Sequence, residues 1–326
     1  MSKLVTIYGG SGFVGRYIAR RMAKQGWRVR VAVRRPNEAM FVKPFGAVGQ
    51  VEPVLCNIRD DASVQSAMDG ADAVVNCVGI LSERGKNEFN TVQNEGAARI
   101  AKLAAAAGIE TMVHVSAIGA DEDAGSEYAQ TKALGEQAVL AHMPNALILR
   151  PSVIFGPEDE FFNGFASMSR FGPVLPIVGG ATKFQPVYVD DVAKAAVQGI
   201  LGQASGVYEL GGPDVCSLRE IVAEMLAEIH QRKLVINLPF FVGRIMAFGF
   251  GLMQSVTFGL FYNSILTADQ LKQLRNDNVV SADAKGLADL GITPTPTSAI
   301  LPGYLWRFRP SGQFDAIKDS AKNLNV

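Results

Sequence analysis

Cysteine is scarce. The 326 residues contain three, Cys56, Cys77 and Cys216, at spacings that pair with nothing. That excludes a disulfide-stapled scaffold and points to a reducing compartment; Cys77, inside an apolar run, reads as core. Histidine is equally sparse, with His114, His142 and His230 far apart and no ligand spacing, so no metal site is expected. Neither sign of charge prevails: Lys+Arg and Asp+Glu number 31 each, a balance that does not favour a nucleic-acid surface, and no nucleic-acid partner is expected. Repeats and low-complexity tracts are absent. The chain opens Met1-Ser2-Lys3 and runs straight into a strand-like segment, without the charged, apolar and small-residue succession of a leader, so the protein is expected to stay where it is made.

What is present is a chain 48% hydrophobic, enough for one large core and a smaller second lobe. Short β-branched runs alternate with longer helical patterns. The strands are expected at Leu4–Tyr8, Val29–Val33, Val51–Leu55, Ala73–Cys77, Thr111–Val115 and Ala146–Leu149. Several are apolar throughout, as parallel strands covered on both faces must be. Helices fit between them, over Gly12–Gln25, from Asp60-Asp61 to just before Gly70, and through Ala97–Ala107, with acidic starts and glycine stops. Strict alternation implies an α/β fold, a Rossmann-type doubly wound parallel sheet. Past Pro151 the rhythm breaks into shorter elements punctuated by Gly-Pro and Gly-Gly pairs. The organisation read from this is a dinucleotide-binding domain over 1–155 and a smaller C-terminal lobe over 156–326, with 184–213 returning to the first domain. In that returning segment Val187–Val189, Asp190–Leu201 and Gly206–Leu210 would add a strand, a helix and a strand to the sheet.

Gly9, Gly12 and Gly15 stand three apart between the first strand and the first helix, in "TIYGGSGFVGR". The first permits a tight turn, the second lets backbone approach a pyrophosphate, and the third lets helix pack on sheet. Free amides at the helix start then favour phosphate. The alternative is a glycine-rich turn with no ligand. The second strand ends Val33-Arg34-Arg35 where an NAD site carries a carboxylate for the ribose 2′-hydroxyl. Guanidinium groups there would grip a 2′-phosphate, so NADP(H) is the expected cofactor; otherwise both arginines are merely solvated.

Tyr128 and Lys132 lie one helical turn apart in "EYAQTKALGE". Together with "GGSGFVG", "VRR", "CNIRD", "VNCVG", "HVSA" and "RPSVIFGP", they make the chain resemble the short-chain dehydrogenase/reductase superfamily in its extended and atypical branches, over about half its length. The stretch Arg150–Ala195, above all "FASMSRFGP" and "QPVYVDDV", is similar more narrowly to the large nucleotide-binding accessory subunits of respiratory complex I. That resemblance implies NADPH (or NADP) held as a structural ligand. It places Gly9, Ser11, Gly12, Phe13 and Val14 at the pyrophosphate and Arg34 and Arg35 at the 2′-phosphate. Asn57 and Ile58 would take the adenine side, and Cys77, Val78 and Gly79 the ribose. Tyr128 and Lys132 would meet the nicotinamide ribose, and Pro151 and Ile154 the nicotinamide face. In active members the tyrosine is the general acid/base, its pKa lowered by the lysine, with a serine polarising the carbonyl and an asparagine completing a relay. The corresponding candidates are Ser116, Tyr128, Lys132 and Asn94. Ala117 and Ile118, however, lack a hydroxyl where active relatives often carry one.

The pair thus has two readings: an acid–base dyad, or a ribose clamp that turns nothing over. The narrower resemblance selects the clamp, vestigial Ser116, Tyr128 and Lys132 included. It implies an accessory subunit supporting assembly or stability near the quinone-reducing arm. The partners would be other complex I subunits of the hydrophilic arm and membrane junction, and the location the cytoplasmic side of a bacterial inner membrane. The alternatives are a soluble NADP-dependent reductase or sugar-nucleotide epimerase/dehydratase, and a redox sensor that binds NADP. Leu238–Tyr262 is apolar with one charge, Arg244, and several interrupting glycines. It reads as a broken helical pair rather than a membrane span, serving either as a docking surface for protein or lipid or as core of the small lobe. Trp306 and Phe308 are candidate anchors against a partner in a tail that turns polar; the alternative is a solvated, partly ordered tail.

Overall fold

The structure, a computed structural model, describes residues 2–256 and 267–314, with no side chains described for 250–256 and Gln313. Contacts divide the chain into two units. The first comprises residues 1–152, 189–211 and 280–294; the second holds the rest.

The first unit is built on seven parallel strands. These are β1 (Leu4–Tyr8), β2 (Arg28–Val33), β3 (Val51–Leu55), β4 (Ala73–Asn76), β5 (Thr111–Val115), β6 (Leu147–Pro151) and β7 (Gly206–Leu210), in the order 7-6-5-4-1-2-3. The order reverses beside β1, with β4 on one side and β2 on the other. That reversal opens a crevice at the carboxyl ends of the strands. Every residue of β1 and β4 is buried, because helices cover both faces. On one face lie α2 (Asp61–Met68), α3 (Glu95–Ala106) and α4 (Glu127–His142), whose Val64, Ile100, Ala104 and Val139 pack with Tyr8, Val74, Met112 and Ile148 of the strands. On the other face lie α1 (Phe13–Lys24) and α5 (Val189–Ile200). Gly199 of α5 sits directly on Leu147 and Val113, and Arg21 of α1 grips Asp190 of α5 with two bonds of 2.7 and 2.5 Å.

Local chemistry sets the helix ends. Asp60 caps α2 through the Ala62 amide and Ser126 caps α4 through the Ala129 amide. The start of α1 differs: Gly12 has no side chain to cap with, and no acidic residue occupies the first turn.

The returning segment departs from the expectation at one strand. Gly206–Leu210 joins the sheet beside β6, but Val187–Tyr188 does not. Those two residues, which follow Pro186, pair instead with Ile154–Phe155 in the second unit. Only two residues long, the strand cannot span the sheet. A further segment, 280–294, belongs to the first unit and was not foreseen there.

The second unit has its own core. Helices Phe161–Met168 and Leu218–Glu228 contribute Phe162, Ala166, Val222 and Met225, packed with Phe155, Leu305 and Phe308. Phe308 is therefore core and not an exposed anchor; the Arg170 guanidinium lies 4.9 Å from its ring. Trp306 stays 38% exposed. Strand Leu234–Leu238 pairs in parallel with Val174–Val178. The helix Phe240–Val256 follows without interruption, so Gly243, Gly249 and Gly251 do not break it. Residues 257–262 of the apolar stretch lie outside the described residues. Among the described residues no helix is long and apolar enough to cross a membrane.

Gly135 in α4 tests how tightly the first unit is packed, because an added methyl there would lie 2.4 Å from the Gln93 carbonyl. Alanine ordinarily stabilises a helix interior over glycine by up to about 1 kcal/mol. Gly135→Ala should instead destabilise by about 1–3 kcal/mol. Gly164→Ala, in a helix with open space around it, should follow the ordinary rule. Urea melts of the two variants check the opposite signs.

Candidate functional site

The carboxyl ends of β1, β2, β4, β5 and β6 bring most of the expected residues to one edge of the first unit. At the first turn, Gly9 has φ +73°, a conformation that costs glycine nothing. A Cβ on Gly9 would lie 3.2 Å from the backbone of Cys77 and Val78, so the β1 and β4 turns touch there. A Cβ on Gly15 would lie 2.5 Å from the Gly9 carbonyl and 2.6 Å from Gly10 Cα. Gly12 donates its amide to that same carbonyl at 2.9 Å. The result is a loop folded against the helix start, with Ser11 half-buried and Gly12 exposed. Phe13 and Val14 begin α1 with no side-chain cap on their amides. That is a cradle for an anion: positive helix end, close backbone and no competing carboxylate in the first turn. A dinucleotide pyrophosphate fits it.

At the end of β2 both arginines are exposed. Arg34 makes no ion pair among the described residues. Arg35 pairs with Glu38 at 3.0 Å, a contact invisible to the motif reading. The pair is open to water on both sides and weakly held, so a phosphate can displace the carboxylate. Asn57 follows β3, its side chain accepting from the Arg59 amide at 3.2 Å. Ile58 is buried against Gly96 of α3.

At β4, Asn76 organises the turn that carries Cys77, Val78 and Gly79. Its Oδ1 accepts the Val78 amide at 3.0 Å, and its Nδ2 lies 3.1 Å from His114 Nδ1. With the amide fixed in that sense, His114 must accept at Nδ1 and carry its proton on Nε2. It is neutral, its pKa pushed down to about 3 by burial and then by the nearby Lys132 cation. Its Nε2 has no hydrogen-bond partner among the described residues. Burial also pushes the Cys77 thiol up to about 12, so it is no nucleophile.

Lys132 is buried, and its ammonium donates to the Val115 carbonyl at 3.1 Å. A Cβ on Gly79 would stand 3.4 Å from that nitrogen, so the β4 turn and the lysine meet. Tyr128 lies one turn back, its ring centroid 5.9 Å from Lys132 Nζ and packed edge-on against Phe89. Burial pushes the Tyr128 hydroxyl up to about 12. Burial also pushes Lys132 down to about 8, although Glu136 and Cys77 pull it the other way. The tyrosine shift runs opposite to what proton transfer at neutral pH needs.

Two expected relay members turn elsewhere. Ser116 is buried, and its hydroxyl donates to the carboxylate of buried Glu136. Arg150 completes the neutralisation of Glu136, with Nη2 at 2.6 Å and Nε at 3.0 Å, and stands 3.7 Å from Glu209. Glu209 in turn accepts the Ser281 amide at 2.8 Å. Asn94 donates to Asn90 at 2.8 Å, and it is the neighbouring Gln93 that is buried, bonded to the Ile80 carbonyl at 2.9 Å. Pro151 closes β6 and accepts the Ile118 amide at 3.0 Å. Ile154 belongs to the second unit.

Comparison with known proteins gives the family and the fold. The model of the NAD dependent epimerase/dehydratase family matches residues 5–211. "NADH dehydrogenase [ubiquinone] 1 alpha subcomplex subunit 9, mitochondrial" of Arabidopsis thaliana is 34% identical over 316 residues, 95% of this chain and 79% of that protein. "Ceramide reductase" of Caulobacter vibrioides is 35% identical over 207 residues, 64% of each chain. Among solved structures, the NADPH-dependent quinone oxidoreductase QOR2 of Escherichia coli, complexed with NADPH, superposes with a TM-score of 0.69 at 18% identity, covering 92% of this chain and 98% of that one.

The lysine shift gives a signed test. Its folded-state pKa lies below its unfolded value, so the unfolded chain binds more protons between about pH 8 and 10.5. Raising pH through that window should stabilise the wild type relative to Lys132→Met, by on the order of 1–3 kcal/mol. Nucleotide-free melts of both proteins at pH 7.5 and 10 read the difference.

Proposed function

The chain belongs to the NAD dependent epimerase/dehydratase family, and from that premise we propose that it binds a nicotinamide dinucleotide, NADPH, as a retained structural ligand and serves as an accessory subunit of a respiratory NADH:quinone oxidoreductase. One observation carries the non-catalytic half of this reading: the Ser116 hydroxyl is spent on Glu136. A hydroxyl has one proton to donate. Given to a buried carboxylate, it is not there to polarise a substrate carbonyl, and Ala117 and Ile118 offer no replacement.

The remaining parts suit a clamp. Lys132 and Tyr128 stand where they can hydrogen-bond the nicotinamide ribose, and Gly79 leaves room beside the ammonium. The glycine loop takes the pyrophosphate, Arg34 and Arg35 the 2′-phosphate, Asn57 and Ile58 the adenine side, and Cys77 and Val78 the ribose. Pro151 would cover the nicotinamide. When bound, the dinucleotide supplies a hydride carrier; this chain's residues supply grip and burial but no proton donor poised for transfer. The subunit reading rests on similarity over nearly the whole chain to a protein named as a subunit of an NADH dehydrogenase [ubiquinone]. Its place would be peripheral, on the cytoplasmic side of a bacterial inner membrane, against the hydrophilic arm and membrane junction. The helix Phe240–Val256 exposes Phe241, Ile245 and Phe248, one face at helical spacing, for protein or lipid contact.

A second reading is a soluble NADP-dependent reductase or epimerase, favoured by the retained Tyr128–Lys132 spacing and by similarity to a protein named as a reductase. Fractionation in mild detergent separates the two. Co-migration with NADH:quinone activity is expected; a soluble monomer that oxidises NADPH with a carbonyl substrate would establish the enzyme. NADPH at 100 times its Kd should add about 2.7 kcal/mol to folding stability, a rise in Tm on the order of 5 °C. Equal melting with and without NADPH contradicts the structural-ligand role.

A further inference from the structure

No acidic residue precedes Glu38, whereas nine Lys and Arg do. Two of the nine, Arg34 and Arg35, belong to the nucleotide edge. Arg21 is matched by Asp190, and Arg30 donates to the Ala67 and Asp69 carbonyls on the α2 side of the sheet. Arg20 and Lys24 are exposed, one helical turn apart on α1. The cofactor does not account for them. Lys24 ends the 12-residue helix that Phe13 begins, so it stands about 16 Å along the axis from the glycine loop, beyond the Debye length of about 8 Å. The negative end of α1 would explain Lys24 alone; it would not explain Arg20, in mid-helix.

The connection between β2 and β3 lies along the same stripe. It holds the 3-10 segment Pro36–Phe45. Near the start of α1, the Phe41 ring lies 4.7 Å from the Arg16 guanidinium carbon. Near its end, Gln50 Nε2 donates to the Ala23 and Trp27 carbonyls at 2.6 and 2.9 Å. Ala39 and Val42 of the connection are buried, but Met40, Phe41 and Val48 are exposed, Val48 completely, with exposed Lys43 among them. One exposed apolar side chain needs no explanation. Three beside a row of cations make an amphipathic face. The carboxylates of α5 and of the connection are already matched: Glu38 by Arg35, Asp190 by Arg21 and Asp191 by Lys194.

We infer that this face of the first unit, Arg20, Lys24 and Lys43 with Met40, Phe41 and Val48, seats on an anionic lipid bilayer. The inference rests on the peripheral membrane placement proposed above and deepens it. It gives that placement a surface in the first unit, whereas the helix Phe240–Val256 belongs to the second. The chemistry selects lipid over protein. Lysine is depleted at protein–protein interfaces, whose centres exclude charge. At a bilayer surface, lysine and arginine stay with the headgroups while apolar side chains enter the acyl boundary. Each cation held near an anionic leaflet adds attraction, and salt screens it.

Flotation of the full chain with vesicles tests this. Wild type should bind vesicles of phosphatidylglycerol and phosphatidylcholine in equal parts, should be released by salt, and should not bind phosphatidylcholine alone. Lys24→Gln combined with Lys43→Gln should weaken that binding roughly tenfold or more. Met40→Ser combined with Val48→Ser should weaken it roughly threefold or more. All four side chains are exposed, so thermal melts should be unchanged and a lost fold is separated from a lost surface. No vesicle binding by wild type overturns the inference. So does binding that the double variants retain, whether or not Phe241→Ser in the second unit removes it. If the lysine variant loses co-migration with NADH:quinone activity while wild type ignores vesicles, a protein covers this face and the lipid assignment fails. If wild type binds vesicles as described but never co-migrates with that activity, the subunit reading fails and the bilayer face stands.

Discussion

The first unit turns on a packing constraint at the β1–α1 junction. No side chain fits between Gly15 and the Gly9 carbonyl, and at Gly9 a Cβ would crowd the β4 turn on a backbone of φ +73° that disfavours any other residue. The absence of those atoms lets α1 start directly over the end of β1 with no side-chain cap on its first amides among the described residues. An uncapped helix start is a cost in a protein without a ligand. It becomes an asset when an anion occupies it. The reversal of strand order beside β1 puts that anion site at the one place where the sheet opens a crevice. The arginines after β2, the Asn76-ordered turn after β4 and Lys132 below Gly79 then converge on the same edge. A dinucleotide is the ligand that such an arrangement measures out.

A second constraint decides what the edge does with its ligand. Glu136 is buried in α4 one turn beyond Lys132, and a buried carboxylate has to be matched by donors. Arg150 supplies most of the match and Ser116 the remainder. The same demand that stitches α4 to β5 and β6 therefore withdraws the serine from the crevice. Tyr128, with its hydroxyl pushed up by burial, is not compensated into a ready acid–base group. That arrangement favours grip over proton transfer, in keeping with the structural-ligand role proposed above.

Much of this was legible in the residues. Strands such as β1 and β4 announce themselves as apolar runs because helices cover both faces, and the glycine spacing marks the turn that only glycine can make. The Arg34-Arg35 pair was visible because a carboxylate was missing where one is usual. Contacts between distant residues were not legible. Glu38 neutralising Arg35 depends on the 3-10 turn after Pro36, and the Glu136–Arg150–Ser116 cluster depends on three elements meeting. Where Asn94 points was set by a local turn that the residues did not announce. The π-type turn Asn90–Asn94 rotates the face that enters α3, so Gln93 points inward and Asn94 turns back to Asn90. Val187–Tyr188 has the composition of a strand but only two residues and a preceding proline, so it pairs with Ile154–Phe155 outside the main sheet.

The central claim is that this edge keeps a phosphorylated dinucleotide as part of the folded protein. The direct measurement is chromatography and mass spectrometry of whatever nucleotide is released when the purified full chain is denatured. Near-stoichiometric NADPH or NADP is the result this account predicts. A chain that releases nothing, or releases NAD(H) in its place, would contradict it.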